Sequence, residues 1–252
     1  MNDLINILKN IEDINIILTF IDYKYIPIFN IFYTYFEKLN LKNLILIALD
    51  LNTYNYLKKY KDLHILYIQY NLNNKELFWK FRLSLINQIF KISMKNIIHT
   101  DSDCLWFKNI NEEVKNLDYD IIGSISYGFP EDLVKKYGFI LCCGFYYIKY
   151  NNKTKDFFDK IINQNLNSND DQILMNTYIF NNKKSILNYN NHPFITKYII
   201  TNDDLEIAIL HDTIISRTYQ DSLYCFHPYL PSKNINDKLY ELYLKLKNKN
   251  KK

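Results

Sequence analysis

The sequence predicts an α/β fold in which helices flank a mostly parallel, Rossmann-like sheet. Over roughly the first 110 residues, short apolar segments alternate with segments of helical periodicity, the pattern of successive βαβ units. One short segment, Leu44–Leu49, is apolar throughout, as expected of a strand buried on both faces. The 252 residues are 48% hydrophobic, which suffices for one sizeable core, so we expect residues 1–252 to form a single domain.

The elements of the first half follow one another closely. Residues 3–12 predict a short amphipathic helix, and residues 14–20 predict the first strand. His64–Ile68 predicts a strand beside Leu44–Leu49. Three further helices are expected: Ile26–Leu39, with Pro27 in its first turn, 53–60, and Glu76–Ile92, with Leu77, Phe81, Leu85 and Ile89 at helical spacing.

The second half is less regular and predicts a smaller mixed sheet region. The expected strands are Asp120–Ile125, Phe139–Lys149, Ser185–Tyr189, Leu205–Leu210 and Leu223–Phe226. The expected helices are Lys153–Ile162, Asp171–Phe180 and Asp237–Lys247, the last a solvated end with a basic tail. Residues 126–138 and 188–204 are expected to be variable loops that set substrate specificity.

The segment from Ile97 to Phe107 carries the strongest chemical signal. Ile97 and Ile98 end a buried strand, and Asp101 and Asp103 follow directly. Open α/β sheets bind ligands at the carboxyl ends of their strands. Two neighbouring carboxylates repel each other unless a cation lies between them, and Mg²⁺ or Mn²⁺ accepts such oxygen ligands. The competing interpretation is an ordinary acidic loop or helix cap.

Composition, charge and cysteine spacing argue against several classes of protein function. The net charge of +4 comes from mixed rather than clustered charges, which argues against a nucleic-acid partner, although a metal-dependent nucleotidyltransferase or nuclease remains an alternative. The four cysteines show no metal-ligand spacing, so reduced thiols are expected. We find neither a signal peptide nor a transmembrane segment, and expect a cytoplasmic protein, in the host cytoplasm if the source is viral.

Five short features in a fixed order resemble the GT-A glycosyltransferases. The resemblance is to the glycogenin-like and plant xylosyl- or galactosyltransferase-like nucleotide-diphospho-sugar transferases, and it runs from about Ile14 to Lys233. The features are Leu18-Thr19-Phe20 with the following tyrosines, Phe78-Trp79-Lys80-Phe81, Asp101-Ser102-Asp103, Cys142-Cys143-Gly144 followed by Asp171-Gln172, and His227 with Lys233.

The resemblance implies a division of the chain and a donor site. Residues of about 14–110 would form the nucleotide-binding half, and about 111–235 the half that completes the metal and acceptor sites. The donor, a UDP-sugar, would contact residues spread over both halves: Thr19, Tyr23, Tyr25, Lys80, Asp101, Ser102, Gly144 and Gln172. The alternatives are strand-end capping or surface packing for Thr19 and the tyrosines, and simple exposure for Lys80.

The resemblance also implies a metal centre and catalytic residues. Asp101, Asp103 and His227 would bind Mn²⁺ or Mg²⁺, with His211 as a rival ligand. Lys233, six residues after His227, would stabilise the departing diphosphate. Asp171 would lie near the reacting carbon, after Asp170 as the helix cap.

Two departures weaken the match. Cys142 stands where relatives often carry Asn, and no Gly lies between His227 and Lys233. Despite these departures, the resemblance implies a metal-dependent glycosyltransferase that acts with retention of configuration on a glycan, protein or lipid acceptor. The alternative is a non-catalytic sugar-nucleotide-binding protein with a degenerate transferase fold.

Overall fold

A computed structural model describes residues 2–71, 75–163, 168–189, 191–220, 223–230 and 234–247. Two sheets organise these residues. The larger contains β1 (Asn15–Ile21), β2 (Leu44–Ala48), β3 (His64–Tyr67), β4 (Asn96–Thr100), β6 (Ile121–Ser126), β7 (Ile140–Ile148), β8 (Lys183–Asn188), β9 (Ile195–Thr201) and β10 (Glu206–Leu210). The smaller contains β5 (Leu105–Trp106), β11 (Ile215–Ser216) and β12 (Cys225–Phe226).

The larger sheet has the strand order β3-β2-β1-β4-β7-β6-β10-β9-β8. The four strands from the first half, β3-β2-β1-β4, are all parallel, as their alternation with helices predicted. Strand β7 is antiparallel to both of its neighbours, β4 and β6. The edge formed by β10, β9 and β8 is antiparallel between neighbours, which makes the sheet mixed.

Helices cover both faces of the larger sheet. They are α1 (Asn2–Lys9), α2 (Ile26–Phe36), α3 (Leu51–Leu57), α4 (Lys75–Ser93), α5 (Ile110–Lys115), α6 (Glu131–Tyr137), α7 (Asn152–Ile162), α8 (Asp171–Asn181) and α9 (Ile235–Lys247). Successive residues of β1 point to opposite faces, so Leu18 joins the apolar cluster of α1, α4, α7 and α8, whereas Ile17 joins that of α2, α3 and α9. This is the doubly wound arrangement that the sequence predicted.

Three expectations need correction. Within the predicted loops 126–138 and 188–204, the structure contains α6 and β9. Helix α6 is short and has no fully buried residue, although Leu133, Val134 and Tyr137 pack partly against the core, and β9 carries mostly half-buried side chains. Helix α9 is not merely a solvated end, because Leu242 is fully buried in the core.

No helix among the described residues is both long and apolar enough to cross a bilayer.

Candidate active site

The Asp101–Asp103 segment forms a turn at the carboxyl end of β4, the central strand between β1 and β7. The amide of Asp101 donates to the carbonyl of Gly144 on β7 at 2.8 Å, and the amide of Cys104 donates back to the carbonyl of Asp101 at 3.0 Å. Strand β5 starts immediately afterwards and is fully buried. The two carboxylates are therefore fixed by backbone contacts at a sheet edge where α/β folds bind ligands.

His227 reaches this turn because β12, which precedes it, pairs antiparallel with β5. Its Nε2 atom lies 3.3 Å from Oδ1 of Asp103 and 3.9 Å from Oδ2 of Asp101. One ligand atom from each of the three residues falls within 4.8 Å of the others. Two carboxylates and an imidazole form a donor set suited to Mn²⁺ or a similar divalent ion.

Gly144 makes this convergence possible. A Cβ atom built at position 144 would lie 2.0 Å from Cε1 of His227 and 2.8 Å from Oδ2 of Asp101. The imidazole therefore occupies the volume that any other residue's side chain would need. This packing role exists whether or not Gly144 also contacts a donor sugar.

Arg82 on α4 links two acidic residues of the site. Its Nη1 donates to Oδ1 of Asp101 at 2.9 Å, and its Nε donates to Oδ2 of Asp171 at 2.7 Å. Its Nη2 also bonds Asp171. Its guanidinium carbon lies 4.5 Å from the centre of the Trp79 ring. A buried guanidinium requires such pairing, because an unpaired charge would be costly to desolvate.

His99 also contacts the carboxylate of Asp101. Its Nε2 lies 3.3 Å from Oδ1 of Asp101, and the ring is fully buried. Burial, reinforced by the nearby charge of Arg82, lowers the pKa of His99 to about 4, so the imidazole is neutral near pH 7. With Arg82 and His99 both on Oδ1, the other oxygen of Asp101 faces His227.

The start of α8 contributes three consecutive polar residues with different partners. Asp170 caps the helix, as expected, by accepting from the amides of Gln172 and Ile173 at 2.9 and 3.1 Å. Asp171 is 3% exposed and binds Arg82. The side-chain amide of Gln172 accepts from the backbone amide of Cys143 at 3.0 Å through Oε1, and it donates to the backbone carbonyl of Phe129 through Nε2. Gln172 thus ties β7 to the loop after β6.

Cys142 and Arg217 contact His227 on the side that faces away from the acidic turn. Nη2 of Arg217 lies 2.9 Å from Sγ of Cys142, and Nη1 donates to the His227 carbonyl at 3.2 Å. Sγ of Cys142 lies 3.9 Å from Nδ1 of His227, opposite the nitrogen that faces the carboxylates. Cys142 therefore contacts a candidate metal ligand at the position where the resembled enzymes carry Asn.

The charges of the site shift several pKa values. Burial tends to raise the pKa of Asp101, but the combined effects of Arg82, His99 and His227 outweigh it and hold that pKa well below its usual range. Burial raises the pKa of Asp171 to about 6, although Arg82 partly opposes the shift. Burial and Arg217 tend to lower the pKa of His227, but hydrogen bonds to Asp103 and Cys142 raise it overall.

The expected nucleoside contacts surround the end of β1. Thr19 is fully buried, and its hydroxyl has no partner among the described residues. The amide of Tyr23 donates to Asp50 at 2.8 Å, and its side chain is exposed. The hydroxyl of Tyr25 accepts from Lys238 of α9 at 2.6 Å. Ser102 is buried in the acidic turn.

The remaining predicted residues fall elsewhere. Lys80 precedes Arg82 by two residues, about 200° around α4, and so starts from a different face of the helix. His211 lies outside the cluster, with Nε2 3.2 Å from the carbonyl of His192. Lys233 lies outside the described residues.

Sequence reasoning missed Arg82, His99, Arg217 and Lys238. Arg82 did leave a signal, because it stands four residues from both Phe78 and Ile86, which are buried. A charged residue within a buried helical stripe needs a buried partner. The expected stripe began instead at Leu77, which is 49% exposed.

Comparison with known proteins adds a family and a fold. A family model described as nucleotide-diphospho-sugar transferase matches residues 39–222. Mouse xyloside xylosyltransferase 1, in its apo form, is similar over 84% of this chain and 97% of that chain, with a TM-score of 0.55 and 9% identity. The apo structure of WbbM, a bifunctional glycosyltransferase, is similar over 94% of this chain and 52% of that chain, with a TM-score of 0.57 and 11% identity. The shared fold is of the GT-A type. No curated protein matched the sequence.

Proposed function

This chain belongs to the nucleotide-diphospho-sugar transferase family, and we propose that it moves a sugar from a UDP-linked donor to a hydroxyl acceptor, with a divalent cation and with retention of configuration. Retention and the UDP donor are what the resemblance to glycogenin-like enzymes implies. The bond between the sugar C1 and the diphosphate oxygen would break, a bond from C1 to the acceptor oxygen would form, and the acceptor proton would pass to the leaving phosphate.

The observation that carries the proposal is the convergence of Asp101, Asp103 and His227 within 4.8 Å. The donor types fit a hard divalent ion, and the space left by Gly144 is filled by the imidazole rather than by a side chain of its own. These three residues would hold Mn²⁺ or Mg²⁺, which would act as a Lewis acid toward the charge that develops on the diphosphate.

The protein's own residues would prepare this site. Arg82 keeps Asp101 ionised and fixes its orientation, which leaves Oδ2 of Asp101 directed toward His227. Asp171, held by the same guanidinium, is the proposed residue beside the reacting carbon. Lys233 is proposed to meet the leaving diphosphate.

The test is a thermal-shift panel of UDP-, GDP- and dTDP-sugars with and without Mn²⁺, followed by an assay of slow sugar release. We expect a Mn²⁺-dependent shift and hydrolysis with UDP-sugars, both lost in Asp103→Asn. Asp156→Asn is the matched control, because Asp156 is exposed on α7. Mn²⁺-dependent binding without any release of sugar would instead identify a non-catalytic sugar-nucleotide-binding protein. The absence of any Mn²⁺-dependent shift would contradict both.

A further inference from the structure

Helix α9 is anchored to the core by one apolar stripe. Leu242 is fully buried, and Ile235, Leu239 and Leu246 pack against the same cluster. These positions follow the spacing i, i+4, i+7 and i+11, so they lie on one face of the helix. The helix is therefore held in a defined position, and side chains that flank the stripe are directed toward defined neighbours.

Lys238 flanks this stripe and contacts Tyr25, one of the predicted donor-binding residues. Its Nζ lies 2.6 Å from the hydroxyl oxygen of Tyr25 and 5.2 Å from the centre of the Tyr25 ring. Both side chains are half-buried. An ammonium has three hydrogen-bond donors, so one bond to Tyr25 leaves two for other acceptors.

Tyr25 lies beside the acidic turn. Strand β1 runs parallel to β4 with Leu18 opposite His99, so the turn after β1 and the turn after β4 emerge at the same sheet edge. Burial raises the pKa of Tyr25, Lys238 opposes this shift, and the negative charges of Asp103 and Asp101 add to it. The contact between Lys238 and Tyr25 therefore lies at the sheet edge that also carries the acidic turn.

We propose that Lys238 is a donor-binding residue that contacts the diphosphate of a nucleoside diphosphate. The inference rests on the proposed function, since it assumes that a diphosphate lies over the three-residue cluster. A lysine ammonium binds phosphate as a compact point charge. Here the ammonium contacts Tyr25, which follows β1 at the same sheet edge as the carboxylates that would hold the cation. The packing of α9 on the core fixes the position of the Lys238 ammonium beside Tyr25.

The experiment measures UDP, UMP and Mn²⁺ binding by calorimetry for the full chain. Lys238→Met keeps the aliphatic stem and removes the charge. We expect UDP affinity at saturating Mn²⁺ to fall about tenfold, the size of one charged hydrogen bond. UMP affinity should fall less, and affinity for Mn²⁺ alone should not change. Lys247→Met is the matched control, because Lys247 is exposed on the same helix about 14 Å further along.

Four results would overturn the inference. Unchanged UDP affinity in Lys238→Met, together with loss of UDP binding in Asp103→Asn, would refute the role of Lys238 and leave the proposed function intact. A parallel loss of Mn²⁺ affinity would show that Lys238 supports the fold rather than the diphosphate. Failure of the wild-type chain to bind UDP with Mn²⁺ would overturn both proposals. If Lys238→Met does not fold, Tyr25→Phe provides the second variant. We expect its UDP affinity to fall less than that of Lys238→Met and its Mn²⁺ affinity to stay unchanged. An unaltered UDP affinity in Tyr25→Phe would refute the inference.

Discussion

The Nε of Arg82 lies 2.7 Å from Oδ2 of Asp171, and both side chains are at most 5% exposed. The same guanidinium binds Asp101, so one buried cation joins helix α8 to the acidic turn after β4. Removing one partner of a buried ion pair leaves an uncompensated charge, which costs much more than losing an exposed pair.

Replacement of Arg82 by Met should therefore destabilise the fold. We expect the free energy of unfolding in urea to fall by about 3 kcal/mol, because the buried carboxylate of Asp171 and the partly exposed carboxylate of Asp101 lose their counter-charge. Lys91→Met is the control, because Lys91 lies on the same helix as Arg82 and forms an exposed ion pair with Asp159 of α7. This substitution should lower the free energy of unfolding by less than about 1 kcal/mol. Equal losses in the two variants would contradict the importance of the buried pair.

Gly144→Ala should disrupt the three-residue cluster. The added methyl would meet His227 at 2.0 Å, so the imidazole must move away from Asp103. We expect at least about tenfold weaker Mn²⁺ binding, which corresponds to losing part of one ligand contact. Gly128→Ala is the control, because no atom lies within 4 Å of its added Cβ. Wild-type Mn²⁺ affinity in Gly144→Ala would show that the packing is not limiting.

Mn²⁺ affinity should rise with pH. Hydrogen bonds to Asp103 and Cys142 raise the pKa of His227 against the opposing effects of burial and Arg217. In the metal-free protein, the proton therefore persists on the imidazole above its usual pKa, and a metal must displace it. Titrations from pH 6 to 8 should show tighter binding and less proton release as pH increases. His227→Gln should bind Mn²⁺ weakly with a flatter dependence, while His211→Gln should behave like wild type.

Asp171→Asn should reduce turnover more than UDP affinity. Burial raises the pKa of Asp171 to about 6, so its carboxylate is ionised near neutral pH and becomes protonated below that value. At saturating Mn²⁺, the turnover of the wild type should fall as the pH drops below 6, and that of Asp171→Asn should be low throughout. A loss confined to UDP affinity would make Asp171 a donor-binding residue only.

The convergence of Asp101, Asp103 and His227 was predicted from the resemblance to GT-A glycosyltransferases, and apolar strands precede both the acidic turn and His227. The parallel half of the sheet was predictable because buried strands such as Leu44–Ala48 are apolar throughout. The sequence therefore contained enough information to bring these side chains to one edge.

The supporting contacts were less accessible. Leu85 and Ile89 of the predicted α4 stripe are buried, but Leu77 is exposed and Phe78 is buried instead. Arg82 was missed because it lies one turn from Phe78, on a part of the buried face that the predicted stripe did not include. Lys238 depends on the docking of α9, a tertiary event that local periodicity does not specify. Helix α6 and strand β9 lack fully apolar faces, and so resembled loops.

The pairing of β5 with β12 brings two distant parts of the chain together at the three-residue cluster. Asp101 and Asp103 leave the ribosome long before His227, and the short ladder between Trp106 and Cys225 helps to bring the imidazole to them. A nascent chain that ends before Cys225 holds two carboxylates and lacks their nitrogen ligand. The three-residue cluster therefore cannot form until β12 has been synthesised and has paired with β5.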